Sequence, residues 1–192
     1  GHPQPIHVID EPTAAALYYA FTSPVPLEGN YVIYDFGGGT LDVSVVSVSG
    51  LDVEVKMSDG VAQLGGMDLD RIVHELLNEK FQAATGSPLT PEDSGMHIAQ
   101  TESLKEQLSD FPNRPYDIFS VKHGKVRVAL SQEEFVQRAM PIFETSMECV
   151  DRALSQAGFA PEAIDGVFMA GGTSSIPVLK EMLSAKFHLE PV

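Results

Sequence analysis

The chain has 192 residues, 43% hydrophobic and 20% charged, with 27 acidic against 12 basic side chains and a formal net charge of −15. That length can bury the core of one domain or two subdomains. The acidic balance argues against nucleic acid or an anionic membrane as the main partner, since both demand basic patches. A single cysteine, Cys149, forms no disulfide framework and fits a reducing cytosol, and no apolar run reaches the roughly 18 residues of a membrane span.

Gly1-His2 reads as an expression remnant, so the natural start is expected to lie elsewhere. Ile6–Ile9 reads as a short strand, broken by Glu11-Pro12. Thr13 then opens an Ala-rich helix over AAALYYAF, with Pro12 just ahead of it, and TSPVPLEGN is a loop rich in breakers. Tyr31–Asp35, Leu41–Ser49 and Val53–Ser58 are predicted as three successive strands. In the second, Leu41, Val43 and Val45 alternate with Asp42 and Ser44, but Val46 and Val48 make its outer part apolar on both faces. Gly50 turns the second strand into the third. The period then changes: Leu69, Ile72, Val73, Leu76 and Leu77 form a helical stripe. Pro88 and Pro91 mark a connector, and a second helix is expected from about His97 to Asp110. YDIFSVKHGKVRVAL reads as a hairpin turning at His123-Gly124. Ser131 and Glu134 make the S-x-x-E pattern that starts another helix, which Pro141 should kink or restart and Gly158 should end. Within it Cys149 reads as a buried free thiol. GVFMAGG is a buried strand, and SIPVLKEMLSAKF a final helix with Ile176, Leu179, Met182 and Leu183 on one side. The order is a mixed α/β layout with an inserted helix and hairpin, and no internal repeat is visible.

Three glycine-rich turns stand out: DFGGGTLD (35–42), LGGMDLD (64–70) and MAGGTSSIP (169–177). Two follow strands and two lead into helices. A loop without side chains lets several N–H groups converge on an anion, and a helix N-terminus adds its partial positive charge. An acidic protein can bind a polyphosphate in this way without a basic patch. A magnesium ion would offset the remaining charge, with Asp35 and Asp42 as outer-sphere partners through water. Each glycine pair alone also reads as a plain turn, Asp35 as a cap and Asp42 as a solvent-facing strand residue. Neither the G-x-x-x-x-G-K-[ST] nor the G-x-G-x-x-G pattern is present. On the helix expected at 97–110, Glu102, Lys105 and Ser109 share one face while Leu104, Leu108 and Phe111 share another. The polar face either lines a cleft or is a solvated face with a weak ion pair.

In this order the motifs resemble the seventy-kilodalton heat-shock chaperone family, within the actin-like ATPase superfamily, from about Ile6 to the end of the chain. VIDEPTAAALYYAF is similar to the helix that crosses between that family's lobes, YDFGGGTLDVSVV to its second phosphate loop, LGGMDLD to the start of its smaller subdomain and MAGGTSSIP to its adenosine loop. The implied fold is the second lobe of a nucleotide-binding domain, an α/β actin-like (ribonuclease H-like) lobe with a mixed sheet and flanking helices. A core subdomain, 1–64 and 131–192, would carry a small inserted α+β subdomain, 65–130. The implied ligands are ATP/ADP and Mg2+. By resemblance, Gly37, Gly38, Gly39 and Thr40 wrap the β- and γ-phosphates, with Thr40 near the attacking water. Asp35 lies near the magnesium and that water, holding the metal through water; Asp42 is a nearby acid, and Glu11 sits at the lobe junction. Asp35, Thr40 and Glu11 are therefore the candidate catalytic residues. Gly65 and Gly66 match the adenosine side of the cleft, Glu102, Lys105 and Ser109 the ribose and adenine face, and Gly171, Gly172 and Thr173 the loop against adenosine and the α-phosphate.

The chain departs from the family's pattern at three places. Glu106 stands where many members carry an arginine or an apolar residue beside the adenine, Ser175 where they often have Arg, and Met67 where an acid or amide is common. A carboxylate and a hydroxyl do not stack on a base as a guanidinium does, which would weaken adenine binding by about 1 kcal/mol per lost contact. The resemblance further implies a cytoplasmic ATPase whose first lobe and peptide-binding domain are not in this chain. The residues present would then hydrolyse ATP barely, if at all, and are expected to be monomeric. Implied partners are unfolded peptide clients, a J-domain co-chaperone and a nucleotide-exchange factor. Rival readings are a degenerate, non-hydrolysing interaction module, a sugar or acetate kinase of the same superfamily, and an actin-like filament protein.

Overall fold

The structure, a computed structural model, describes residues 9–192. The strand expected at Ile6–Ile9 therefore lies outside the described residues except for Ile9, which belongs to no strand. Helix α1 (Glu11–Thr22) begins two residues earlier than Thr13. The reason is its cap: the Asp10 carboxylate accepts the Thr13 N–H at 2.9 Å, and Pro12, having no N–H to lose, fits the first turn.

The predicted three-strand meander is present as β1 (Glu28–Phe36), β2 (Leu41–Ser49) and β3 (Asp52–Val61), each pairing antiparallel with the next. The first and third run longer than their apolar cores suggested. The strand β6 (Gly166–Ala170) joins β1 in parallel, so the sheet is mixed, with order β3-β2-β1-β6.

Strand parity explains the apolar pattern of β2. Val32, Tyr34, Phe36, Val43 and Val45 point into the main core, which contains α2 (Gly66–Thr85), α5 (Gln132–Ala157) and α6 (Pro177–Phe187). Tyr31, Ile33, Val46, Val48 and Phe168 point to the opposite face, where α1 covers them through Ala16 and Tyr19. Tyr19 stacks on Phe168 at 4.0 Å. The outer half of β2 is apolar on both sides because α1 lies over it. The inner half of that second face carries Asp35, Asp42, Ser44 and Ser58 instead, and Ser44 and Ser58 share a hydrogen bond of 2.7 Å. A bulge in β3 opposite Val45/Val46 keeps Val53, Val55 and Ser58 on one face despite their uneven spacing.

The stripe of α2 is buried as its spacing requires, through Leu69, Val73, Leu76, Leu77 and also Phe81. The region after it differs from expectation. Pro91 is no connector residue but lies in the first turn of a short helix, α3 (Pro91–His97), which Thr90 and Asp93 open with a capping box. A 3₁₀ turn, Ile98–Gln100, then leads to α4 (Thr101–Asp110), so the single helix expected over 97–110 is divided. The hairpin is β4 (Asn113–Ser120) and β5 (Gly124–Ser131), a separate two-stranded sheet. Asp93 ties α3 to its turn by accepting the Val121 N–H at 2.9 Å and the Ser120 hydroxyl at 3.2 Å. One continuous buried cluster runs from the main sheet through Leu77, Leu104 and Leu108 to Ile118 and Leu130 of the hairpin.

Helix α5 starts at the Ser131/Glu134 capping box and ends at Gly158, which is left-handed at φ 77°. Cys149 lies in its buried face, where burial pushes the thiol up to about 11. Pro141 neither stops nor restarts this helix, which runs unbroken over its 26 residues. Packing of Phe135, Ala139, Phe143 and Ser146 on the same face outweighs the lost N–H and the ring's crowding. Because Pro141 itself is exposed, Pro141→Ala should remove the penalty and touch nothing else. It is expected to stabilise the fold by about 1–3 kcal/mol in urea unfolding; a loss of stability would mean that the helix needs the proline.

Candidate functional site

Because β1 and β6 are parallel neighbours, with Asp35 paired to Ala170, the turns that follow them emerge side by side at the carboxyl end of the sheet. In open α/β sheets that crevice is where ligands bind. The β1–β2 turn is Gly37–Thr40, closed by the Gly37 N–H donating to Thr40 O at 2.9 Å. The second glycine turn opens α2 and docks on the first. Gly66 N–H donates to Gly37 O at 3.0 Å, Met67 N–H to Gly38 O at 2.9 Å, and Gln63 N–H to Gly39 O at 3.3 Å. The third turn contributes the Thr173 hydroxyl, which donates to Gly37 O at 2.8 Å.

All three glycine carbonyls of the first turn are thus taken by protein donors. The N–H groups of Gly38, Gly39 and Thr40 donate to no protein acceptor among the described residues. Close approach explains two of the other glycines. A Cβ at Gly65 would collide with the Gly38 and Gly39 backbone, and one at Gly171, itself at φ 80°, with the Phe36 carbonyl. Gly38 differs, since a Cβ there meets nothing within 4 Å.

Beside Gly38 lies a cavity of about 510 Å³. It brings together, of the residues singled out from sequence, Gly38, Gly66, Glu102, Lys105, Ser109, Gly172 and Thr173, with Met67, Glu106 and Ser175 also on its wall. Gly37, Gly39, Thr40, Gly65 and Gly171 shape the loops without lining it. Among the described residues Lys105 is the only base on the wall, and it is buried. Its Nζ lies 2.8 Å from Asp70 Oδ1 and donates to Gly66 O at 3.3 Å. The ammonium sits off the hydrogen-bonding direction of Asp70 Oδ1, which is buried without a hydrogen bond. Asp70 was not singled out from the sequence, although it lies within the quoted LGGMDLD; its meeting with Lys105 needs α2 and α4 to pack, which no local pattern reveals.

Asp35 and Glu11 lie elsewhere, in a second cavity of about 260 Å³ on the face that α1 leaves open, together with Asp10, Asp42, Ser44 and Ser58. Burial first, and then the neighbouring charges of Glu11 and Asp42, raise the Asp35 carboxyl above its ordinary value. Crowded carboxylates of this kind favour a nearby cation. Among the described residues, however, no group of three or more His, Cys, Asp or Glu side chains is placed to hold a metal ion directly. A third cavity, of about 490 Å³, lies between the end of α4 and the starts of α5 and α6. Glu133 and Glu181 on its wall oppose any anion at those helix ends.

The raised Asp35 carboxyl has a definite sign. Its folded-state value exceeds the unfolded one, so its contribution is stabilising only at low pH and is lost as pH rises through the folded value. Asp35→Asn is therefore expected to raise the melting temperature of the ligand-free protein at about pH 7 slightly, since the site is partly screened by solvent. The gain should shrink as pH falls through the raised folded-state value and be mostly gone near the ordinary carboxyl value, where Asp35 is protonated in the fold in any case. A differential-scanning series across that range checks both parts, and a gain that grew on acidification would contradict the assignment.

The chain matches the model of the family described as Hsp70 protein over residues 4–192. Among curated proteins it is similar to chaperone protein HscA homologs: 32% identical to that of Bordetella petrii over 187 residues, and 30% to that of Cupriavidus metallidurans over 187. Both comparisons cover 97% of this chain and 29% of the relative. The homolog of Aromatoleum aromaticum is 32% identical over the same shares. The chain thus spans less than a third of the length of the curated relatives it matches. With the family model aligned to nearly every residue, and with the glycine turns interlocked at the end of the sheet, the chain belongs to the Hsp70 protein family.

Proposed function

We propose that these residues form the second lobe of the nucleotide-binding domain of a chaperone ATPase, and that the three interlocked turns grip ATP and ADP. The observation that carries this reading is the set of N–H groups at Gly38, Gly39 and Thr40 that are unpaired among the described residues, in a turn whose Gly38 lines a cavity large enough for a nucleoside. Oriented main-chain N–H groups suit phosphate oxygens without any net positive charge. On this reading Gly37–Thr40 receive the β- and γ-phosphates. Gly66, Gly172 and Thr173 face the adenosine and α-phosphate, Gly65 and Gly171 hold the loops together, and Glu102, Lys105 and Ser109 hold ribose and base.

Asp35 would bind magnesium through water, with Glu11 and Asp42 close by, and the ion would neutralise charge on the phosphate oxygens. Phosphoryl transfer depends mostly on positioning, and Thr40 is the side chain of the turn that would orient the attacking water. The division into a core, 1–64 and 131–192, and an inserted subdomain, 65–130, belongs to the same proposal and is supported by the separate β4–β5 sheet. So do a cytoplasmic location, a monomeric state, and partners elsewhere on the protein: unfolded peptides, a J-domain co-chaperone and a nucleotide-exchange factor. The second reading, a module that has kept the fold and lost the nucleotide, is favoured by one observation, the unpaired acids Glu102, Glu106 and Asp110 on the cavity wall.

Two measurements decide between them. Calorimetry of the full-length protein with magnesium-ADP should give binding heat, and its absence would favour the module. Turnover should be present in the full-length protein, fall by about 100-fold in Thr40→Ala, and be close to background for residues 1–192 alone, because half a cleft leaves the phosphates open to water. Hydrolysis by residues 1–192 that survives Thr40→Ala would defeat the reading.

A further inference from the structure

Met67 is the second residue of α2, and its main chain is fixed to the first glycine turn, since its N–H donates to Gly38 O at 2.9 Å. Its side chain is not buried: it is 63% exposed on the wall of the 510 Å³ cavity. A Cβ built on Gly39 would stand 3.2 Å from the Met67 methyl carbon. The end of the thioether therefore lies against the turn whose N–H groups at Gly38, Gly39 and Thr40 are unpaired among the described residues. Of the seven methionines, Met96 is the next most exposed, at 44%, and does not line the cavity; the other five are partly buried. The only thiol, Cys149, is fully buried and held protonated, so it does not compete for an oxidant in solution.

We propose that Met67 is a reversible oxidation site: a peroxide converts its thioether to the sulfoxide, and the new oxygen takes up the free N–H groups of the glycine turn in place of a phosphate. The proposal rests on the nucleotide reading above, in which those N–H groups receive the phosphates. The sulfur lone pair attacks one oxygen of hydrogen peroxide. An S–O bond forms, the O–O bond breaks, and the departing hydroxide leaves as water with the proton of the transferred oxygen. The sulfur is oxidised by two electrons and the peroxide reduced by two. A thioether is a weak acceptor and leaves the turn open to an incoming anion. Oxidation makes the side chain polar, and the sulfoxide oxygen is a strong acceptor with partial negative charge. It forms on the atom next to the methyl that already lies beside Gly39, and the three rotatable bonds of the side chain let it turn toward the donors. The oxidised protein thus carries its own competitor for phosphate.

The test treats the full-length, nucleotide-free protein with hydrogen peroxide, in wild type, Met67→Leu and Met96→Leu. Peptide mass spectrometry locates the added oxygen, and calorimetry measures magnesium-ADP affinity before and after. Met67 is expected to take up oxygen ahead of Met96 and of the five partly buried methionines, and saturating magnesium-ADP should slow that uptake. Oxidation should weaken ADP binding by about tenfold in wild type and in Met96→Leu, the change expected for one charge-assisted hydrogen bond. In Met67→Leu, whatever its starting affinity, peroxide should leave the affinity where it was. Methionine sulfoxide reductases should restore the wild-type value, and circular dichroism should be the same before and after oxidation. Slower oxidation at Met67 than at Met96, a loss of affinity that persists in Met67→Leu, or a loss that comes with unfolding overturns the assignment. If the reduced protein binds ADP and oxidised Met67 changes the affinity by less than about threefold, this inference alone falls. If the reduced protein binds no ADP, the nucleotide reading falls and takes this inference with it.

Discussion

The hydrogen bonds from Gly66, Met67, Gln63 and Thr173 into the carbonyls of Gly37, Gly38 and Gly39 are the constraint on which the rest of this molecule depends. A peptide unit carries its N–H and C=O on opposite sides. Once the carbonyls of a short turn are captured from the protein side, the N–H groups of the following residues are turned outward. The capture uses the first turn of α2, so donors that a helix N-terminus cannot satisfy internally are spent on the turn rather than on solvent. Each of the two loops therefore completes the other. That mutual completion also explains why Gly65 and Gly171 admit no side chain while Gly38 stands in open space: the first two are pressed against backbone, and the third is left for something else to approach.

A second asymmetry follows from the length of α1. The helix covers only the outer half of one sheet face, where Val46, Val48, Val53 and Val55 are apolar, and stops short of the inner half. The uncovered strip is polar and acidic. Its carboxylates are drawn from a strand end, a neighbouring strand and the start of the helix, so they crowd together because of topology and not because any one segment is acid-rich. Burial first, and then that crowding, raise the Asp35 carboxyl. A perturbed carboxyl in a cavity is a candidate functional group, though structural clusters perturb carboxyls too.

Much of this was legible in the sequence, and the reasons are particular. The strands β1 and β2, the stripe of α2, the Ser131/Glu134 start of α5 and its end at Gly158 all rest on short-range patterns that tertiary context reinforced. The failures rest on competition between local signals and packing. Pro141 is a strong local breaker, but the four buried residues flanking it on one helix face override it. Pro91 was read as punctuation because T-P-E-D contains both a breaker and a capping pattern, and the cap prevailed. In the site, the glycine turns and the polar face of α4 could be read from spacing, since neighbours on a helix share a face. Asp70 could not, because its partner Lys105 is 35 residues away on another helix and the two meet only through the fold. Nor does the sequence distinguish a glycine that packs from one that binds; Gly65 and Gly38 look alike until the other loop is placed against them.

On the proposed reading a net charge of −15 and an acidic cavity wall face a polyanionic ligand, and distance reconciles the two. Charges on the protein surface act over a Debye length of about 8–10 Å at physiological salt and are strongly screened. The main-chain N–H groups act at hydrogen-bond distance, where solvent is displaced and screening is weak. Diffuse repulsion therefore slows the approach of a nucleotide, while the contact interactions set how tightly it is held. Raising ionic strength relieves the repulsion more than it weakens the contacts. The affinity of such a site should fall little with salt or even rise, opposite to a site built from lysines and arginines. A divalent ion arriving with the phosphates acts in the same direction, because it lowers the ligand's charge before the protein's field is met. On the proposed reading the acidic composition is compatible with phosphate recognition, because dipoles held in a turn would do the recognising, and a dipole, unlike a charged side chain, adds no net charge to the protein.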